Sequence, residues 1–228
     1  MNRLPKIVPA GDRAVSVVFP AEISEEVSRH VLGLCTAIDN TKIPGIINCI
    51  PSYHTLLVEY DPLLLDFREV EEQIRSVSVG EIQEDVSRTV EIPVCYGGEL
   101  GPDLGFVAEH TGLDEKKIIA LHTAAVYRVY LLGFRPGFPY LGGMDPRIST
   151  PRRKTPRRRI IGGSVGIAGG QTGIYPEDSP GGWQIIGRTP LRLYREDRGA
   201  LLRPGDRLRF VSVSRERYHE ILAEQEGL

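Results

Sequence analysis

The chain has 228 residues and a formal charge of −2, with 25 glycines and 17 prolines set among 41% hydrophobic residues. The glycines follow no Gly-X-Y period and the apolar content is ordinary, which excludes collagen and a disordered low-complexity chain; the near-neutral charge excludes a generic polyanion binder. Both features are uneven, since residues 1–96 hold four glycines and 8 Lys and Arg against 15 Asp and Glu, whereas residues 97–228 hold 21 glycines and 20 against 15.

In chain order, Val15, Val17 and Phe19 alternate and predict a strand over 14–19. Ser24 caps a helix whose first turn holds Glu25 and Glu26, where the helix dipole favours acids. Val27, Val31, Leu34 and Ile38 form its apolar face. Pro44-Gly45 turns the chain into strands at 46–50 and 55–60. Asp66 starts a second helix with Phe67, Val70, Ile74 and Val77 on one face. Val90, Ile92 and Val94 alternate in a strand over 89–94. The order βαββαβ predicts a ferredoxin-like domain over residues 1–90. Pro102 and Asp103 open a short helix that Gly112 closes, and Asp114 caps another ending near His122. Beyond Ala125, apolar runs at 126–132, 164–168, 183–187, 191–194 and 207–213 alternate with Gly/Pro turns. They predict a β-barrel or sandwich over 91–228 and an α+β chain overall. No apolar run reaches the length of a membrane span and the first twelve residues lack a secretory h-region. Three cysteines, none in a CxxC pair, read as reduced side chains of a cytoplasmic protein.

Four features carry chemistry. Residues 120–176 contain one acid, Asp145, against nine Lys and Arg. Their focus is TPRRKTPRRR (150–159), which reads as a solvated loop, a nucleic-acid patch or an anion cradle. Stacking aromatics are missing from 147–159, which weighs against nucleic acid, and the planar forks of Arg152, Arg153 and Arg157 suit carboxylate or phosphate. GFRPGFPYLGG (133–143) is a packed loop or a pocket wall built of Phe134, Pro136, Gly137, Phe138 and Tyr140. GGSVGIAGGQTGIYP (162–176) has neither a Walker A nor a credible Rossmann pattern; its Gln171, Thr172 and Tyr175 are uncharged partners for an amide carbonyl. SPGGWQIIGRTP (179–190) sets Trp183 and Gln184 in the core or along a cleft. His122 is either a satisfied structural histidine or a proton-transfer group. No histidine spacing fits a zinc site.

Together these motifs resemble the prokaryotic 5-oxoprolinase B-subunit family, which includes a sporulation-kinase inhibitor and allophanate hydrolase subunit 1 proteins. The resemblance begins at GDRAVSVVF (11–19), passes through IPVCYGGELGPDL (92–104), is densest from His122 to Pro190, and ends at LLRPGDRLRF (201–210). It implies a small α/β domain followed by a cyclophilin-like β-barrel. It also implies a homologous C subunit and a third subunit, which together open 5-oxoproline to glutamate with ATP and Mg. The inhibitor branch implies a sensor histidine kinase as partner instead. For such an enzyme subunit, Arg152, Arg153 and Arg157 are expected to hold a carboxylate or phosphate, Gln171, Thr172 or backbone N–H groups at the glycine turns to meet the carbonyl, and His122, whose unperturbed pKa lies near neutral, to transfer a proton. This chain carries no biotin-attachment sequence, and neither nucleic acid nor membrane is expected as partner. One departure stands out: where the family usually reads Val-Pro-Ala-Gly-Ser, this chain has Ile160-Ile161-Gly162-Gly163-Ser164.

Overall fold

The computed structural model describes residues 5–21, 24–78 and 88–226, and the chain divides into two compact units, Met1–Val86 and Ser87–Leu228. In the first unit, β1 (Lys6–Pro9) and β2 (Ala14–Val18) precede α1 (Glu25–Thr41), and β3 (Ile46–Pro51) and β4 (Thr55–Tyr60) precede α2 (Phe67–Ser76). Ser24 accepts a hydrogen bond from the Val27 N–H, and Asp66 and Glu69 form a reciprocal capping box, so both helices begin where their polar residues satisfy unpaired N–H groups. Val27, Val31, Leu34 and Ile38 join Val70, Ile74 and the inward residues Val15, Val17, Leu56 and Val58 in one core.

The four strands form an antiparallel sheet in the order β1-β2-β4-β3. This corrects the expected βαββαβ unit. The place beside β2 belongs to β1, which reaches it through a short local hairpin pairing Pro9 with Val15. A contact so close in sequence closes at low entropic cost. The 89–94 strand goes elsewhere: β5 (Thr89–Tyr96) runs parallel to the last strand of the chain and buries Ile92 and Val94 in the second unit.

That unit continues with α3 (Leu104–Thr111), α4 (Glu115–Ala124), β6 (Tyr127–Leu132), β7 (Pro139–Gly142), β8 (Arg157–Ile160), β9 (Ser164–Ala168) and β10 (Gln171–Ile174). It ends with β11 (Ser179–Gly181), β12 (Gln184–Arg188), β13 (Tyr194–Arg195), β14 (Gly199–Ala200), β15 (Arg207–Ser212) and α5 (Arg215–Glu226). Seven strands close a barrel in the order β10-β7-β6-β15-β5-β12-β9, while β8 pairs with β11 and β13 with β14 as separate two-stranded ribbons. Closure leaves no edge among the barrel strands. Leu104 and Val107 of α3 and Ile118 of α4 join the interior with Tyr127, Ile167 and Phe210. The predicted 191–194 run yields only the short β13. No helix among the described residues is long and apolar enough to cross a membrane.

Candidate active site

Alternation along the barrel wall builds two different faces. Leu141, Val165, Ile167, Ile174 and Ile186 point into the barrel. Their neighbours Phe138, Ala168, Tyr175, Trp183 and Ile185 form a second buried cluster on the outside of the β7-β10-β9-β12 wall. Gly173 makes room for it: a Cβ there would lie 2.9 Å from the Pro139 carbonyl oxygen and 3.1 Å from the Trp183 ring.

Over this outer cluster lies a cleft of about 230 Å³. Phe134, Phe138, Tyr140, Tyr175 and Trp183 supply its aromatic lining, and Arg152, Arg153 and Pro156, with the adjoining Pro180, Gly181 and Gly182, complete it. The rings meet edge to face, with Phe138 5.3 Å from Tyr175 and 5.5 Å from Trp183, as aromatic quadrupoles prefer. Burial pushes the Tyr175 hydroxyl up to about 12 even though it accepts the Trp183 N–H. It therefore keeps its proton at neutral pH and remains a donor. At the mouth stands Phe134, 59% exposed and held at φ +66°, one of two non-glycine residues in the left-handed region among the described residues. A bulky side chain rarely takes that conformation without a purpose.

The basic loop is tied down rather than floppy. Its backbone is held by the Arg153 N–H to the Gly182 carbonyl at 2.8 Å and by Gln184 Nε2 to the Pro151 carbonyl at 3.0 Å. Arg153 and Arg157 converge on Asp103, whose Oδ1 accepts Arg157 Nη2 at 2.7 Å and Arg153 Nη1 at 3.2 Å. Arg152 makes no ion pair among the described residues. The cleft lining contains no Asp or Glu; two guanidiniums share the Asp103 carboxylate, and that of Arg152 stands apart from it beside a set of flat apolar rings. Such a site takes a small flat molecule that carries an anion. Its lining offers no carboxylate oxygen to a magnesium ion.

The structure thus gathers Phe134, Phe138, Tyr140, Arg152, Arg153, Tyr175 and Trp183 around one cleft. Other expected site residues lie elsewhere. Pro136 is exposed in the turn before the cleft, and Gly137 backs onto Leu193 and Tyr194. Gln171 sits half-buried at the β9–β10 hairpin, outside the cleft lining. Thr172 points into the barrel, where its Oγ1 donates to the Gly166 carbonyl and meets His122 Nε2 at 2.9 Å. Gln184 is spent on the Pro151 carbonyl. Arg157 lies outside the lining and supports the rim through Asp103. The residue that sequence reasoning missed is Asp103, assigned there to open α3. Its carboxylate makes no cap bond.

His122 lies apart from the cleft. Its ring is fully buried, stacked 4.4 Å from Phe210, with Nδ1 on the Tyr96 hydroxyl at 2.8 Å and Nε2 on Thr172. The ring is enclosed within the barrel with both nitrogens occupied, and it does not line the cleft. Burial lowers its pKa to about 3, against 6.5 when unfolded. Between those values the unfolded chain holds a proton that the folded chain excludes. Stability from this group is therefore complete above pH 6.5 and is lost as pH falls, at up to about 1.4 kcal/mol per pH unit. Thermal melts from pH 7 to pH 5 should show this decline, and His122→Gln should flatten it at lower overall stability. An unchanged slope in the variant counts against the assignment.

The chain belongs to the carboxyltransferase domain, subdomain C and D family, whose model matches residues 5–202. It is 46% identical to the B subunit of the Bacillus subtilis 5-oxoprolinase over 94% of this chain and 95% of that protein. Among solved structures, TTHA0988 is 40% identical with a TM-score of 0.79, covering 89% of this chain; the chain spans 40% of the length of TTHA0988. The Kluyveromyces lactis urea carboxylase, 22% identical, shares the fold with a TM-score of 0.80 over 99% of this chain and 23% of its own.

Proposed function

We propose that this chain is the B subunit of a 5-oxoprolinase, a multi-subunit hydrolase, and that its cleft receives the lactam. The observation that carries the reading is the meeting of an aromatic floor with an arginine free of ion pairs among the described residues, in a space suited to one small ring. Arg152 and Arg153 bind the substrate carboxylate. Phe138, Tyr175 and Trp183 hold the ring and exclude water from it. The protonated Tyr175 hydroxyl is the donor for the amide carbonyl, where negative charge develops as the ring opens. ATP and Mg bind in the assembled complex at a site that this cleft does not supply. The partners are the homologous C subunit and a third subunit. The assembly is cytoplasmic and this chain alone is inactive.

Co-expression with the partner subunits, followed by measurement of 5-oxoproline-dependent ADP release, tests the proposal. A complex that releases no additional ADP with 5-oxoproline refutes it. A histidine-kinase autophosphorylation assay on the same preparation tests the antikinase alternative. Within the active complex, Arg152→Ala is expected to raise KM for 5-oxoproline about tenfold, the size of a lost hydrogen bond between charged groups. Because Arg152 has no ion-pair partner to strand among the described residues, stability should be unchanged, and a melting curve beside the kinetics separates the two effects.

A further inference from the structure

Asp103 lies at the start of α3, the position where an aspartate ordinarily accepts an N–H from the helix's first turn. Here that bond is not made. The residue is instead bridged to β12. Its backbone N–H donates to the Ile185 carbonyl at 2.9 Å, and its Oδ2 accepts the Ile185 N–H at 2.6 Å. The other oxygen, Oδ1, is left for the basic loop, where Arg153 and Arg157 both donate to it. The side chain is 7% exposed, against 37% for Arg153 and 24% for Arg157, so the carboxylate is the enclosed member and the arginines are the ones that reach outward. Arg157 also keeps a buried Nη1 without a partner among the described residues. A cap given up, a two-point anchor to the barrel wall and two guanidiniums on a single oxygen are local departures of the kind that mark functional sites.

We propose that Asp103 is the positioning residue of the cleft's basic rim: anchored to Ile185, it holds the Arg153 and Arg157 guanidiniums in place and so gives the cleft its preference for a ring bearing a carboxylate. It acts through the arginines and touches no substrate. The proposal rests on the reading of the cleft as the lactam site. One carboxylate facing two guanidiniums leaves the rim cationic, so the group orients positive charge without cancelling it. The selected ligand class is a small cyclic amide with a ring carboxylate, over the same ring without one.

The test compares 5-oxoproline with 2-pyrrolidinone, the lactam lacking the carboxylate, in the co-expressed complex. Asp103→Asn keeps the volume and an oxygen for the Ile185 N–H but loses the charge. It is expected to raise KM for 5-oxoproline at least tenfold with kcat within threefold. The inhibition constant of 2-pyrrolidinone should change less than twofold. Arg153→Gln, at a half-exposed position, should move the same ratio in the same direction, and the double variant should fall short of the product of the two. If the Asn variant does not assemble, Asp103→Glu, which keeps the charge but displaces it relative to the Ile185 N–H, carries the test by the same ratio. Equal weakening toward both lactams assigns Asp103 a merely structural role and overturns the proposal, as does an unchanged KM. A wild-type complex that does not act on 5-oxoproline removes the lactam reading and this proposal with it, whereas a wild-type complex that acts while the variants keep its ratio removes this proposal alone.

Discussion

Gly101→Ala is expected to destabilise the barrel unit by about 3 kcal/mol and lower its melting temperature by roughly 10 °C. The reason is a backbone-to-backbone approach. The turn joining β5 to α3 is pressed against β12, with the Gly97 N–H on the Ile186 carbonyl at 3.0 Å and the Gly101 N–H on the Gly97 carbonyl at 2.8 Å. A Cβ on Gly101 would overlap the Ile186 carbonyl and stand 2.6 Å from the Gly97 nitrogen. Neither obstacle is a side chain that can rotate away, so the turn or the strand must move. Asp103 is two residues further on and shares this seam through Ile185. A shifted turn therefore disturbs the arginine rim as well, and affinity for the lactam falls along with stability. Emission from Trp183, the only tryptophan of the chain, follows the melt. A variant that melts with the wild type shows that the turn yields at little cost and that the backbone approach is not rigid.

Trp183→Ala is expected to cost about 3 kcal/mol or more and to remove measurable turnover of 5-oxoproline by the complex. Trp183 is 6% exposed and forms the cleft floor with Phe138 and Tyr175. Truncation leaves a cavity as well as losing the transfer energy of the indole. It also opens the cleft to water beside Tyr175, whose raised pKa arises first from burial. Trp183→Phe retains an aromatic face and should recover most of the stability and part of the turnover. Circular dichroism melts and ADP-release kinetics on both variants check this. If the alanine variant turns over normally, the substrate does not lie on this floor.

Much of this fold was legible locally. Ser24, Asp66 and Asp114 each cap the helix they were read to cap. The caps are written within three residues of where they act, and apolar spacings of three and four name the buried face. The strand at 14–18 follows from alternation in the same way, and those at 46–50 and 55–60 from the Pro44-Gly45 turn that precedes them. β1 was missed because a short apolar run set between Pro5 and Pro9 carries little pattern, although a proline at its end suits an edge strand. α5 was missed because RERYHEILAEQE is polar nearly all round, with Tyr218 its buried residue. The candidate site was half legible. Arginines, aromatics and glycines drawn from 134 to 183 do meet in one cleft, as their chemistry suggested. Which of them face it was not readable, because Thr172 and Tyr175, three residues apart, lie on opposite faces of the same wall.

The sequence by itself determined the first four helices, most strands, the β-rich C-terminal unit and the residue types that line the cleft. These depend on neighbours close along the chain. Tertiary structure decided three things that depend on partners far apart in sequence. Alternation marks 89–94 as a strand without naming its neighbour, and pairing with residues 207–212 put it in the barrel. A histidine near a helix end reads the same whether open or enclosed, and closure of the barrel around Phe210 and Thr172 enclosed His122. An aspartate before a helix reads as a cap, and the approach of β12 turned Asp103 toward arginines 50 and 54 residues away. In each case the deciding interaction pairs groups that only the closed barrel brings within hydrogen-bonding or packing distance.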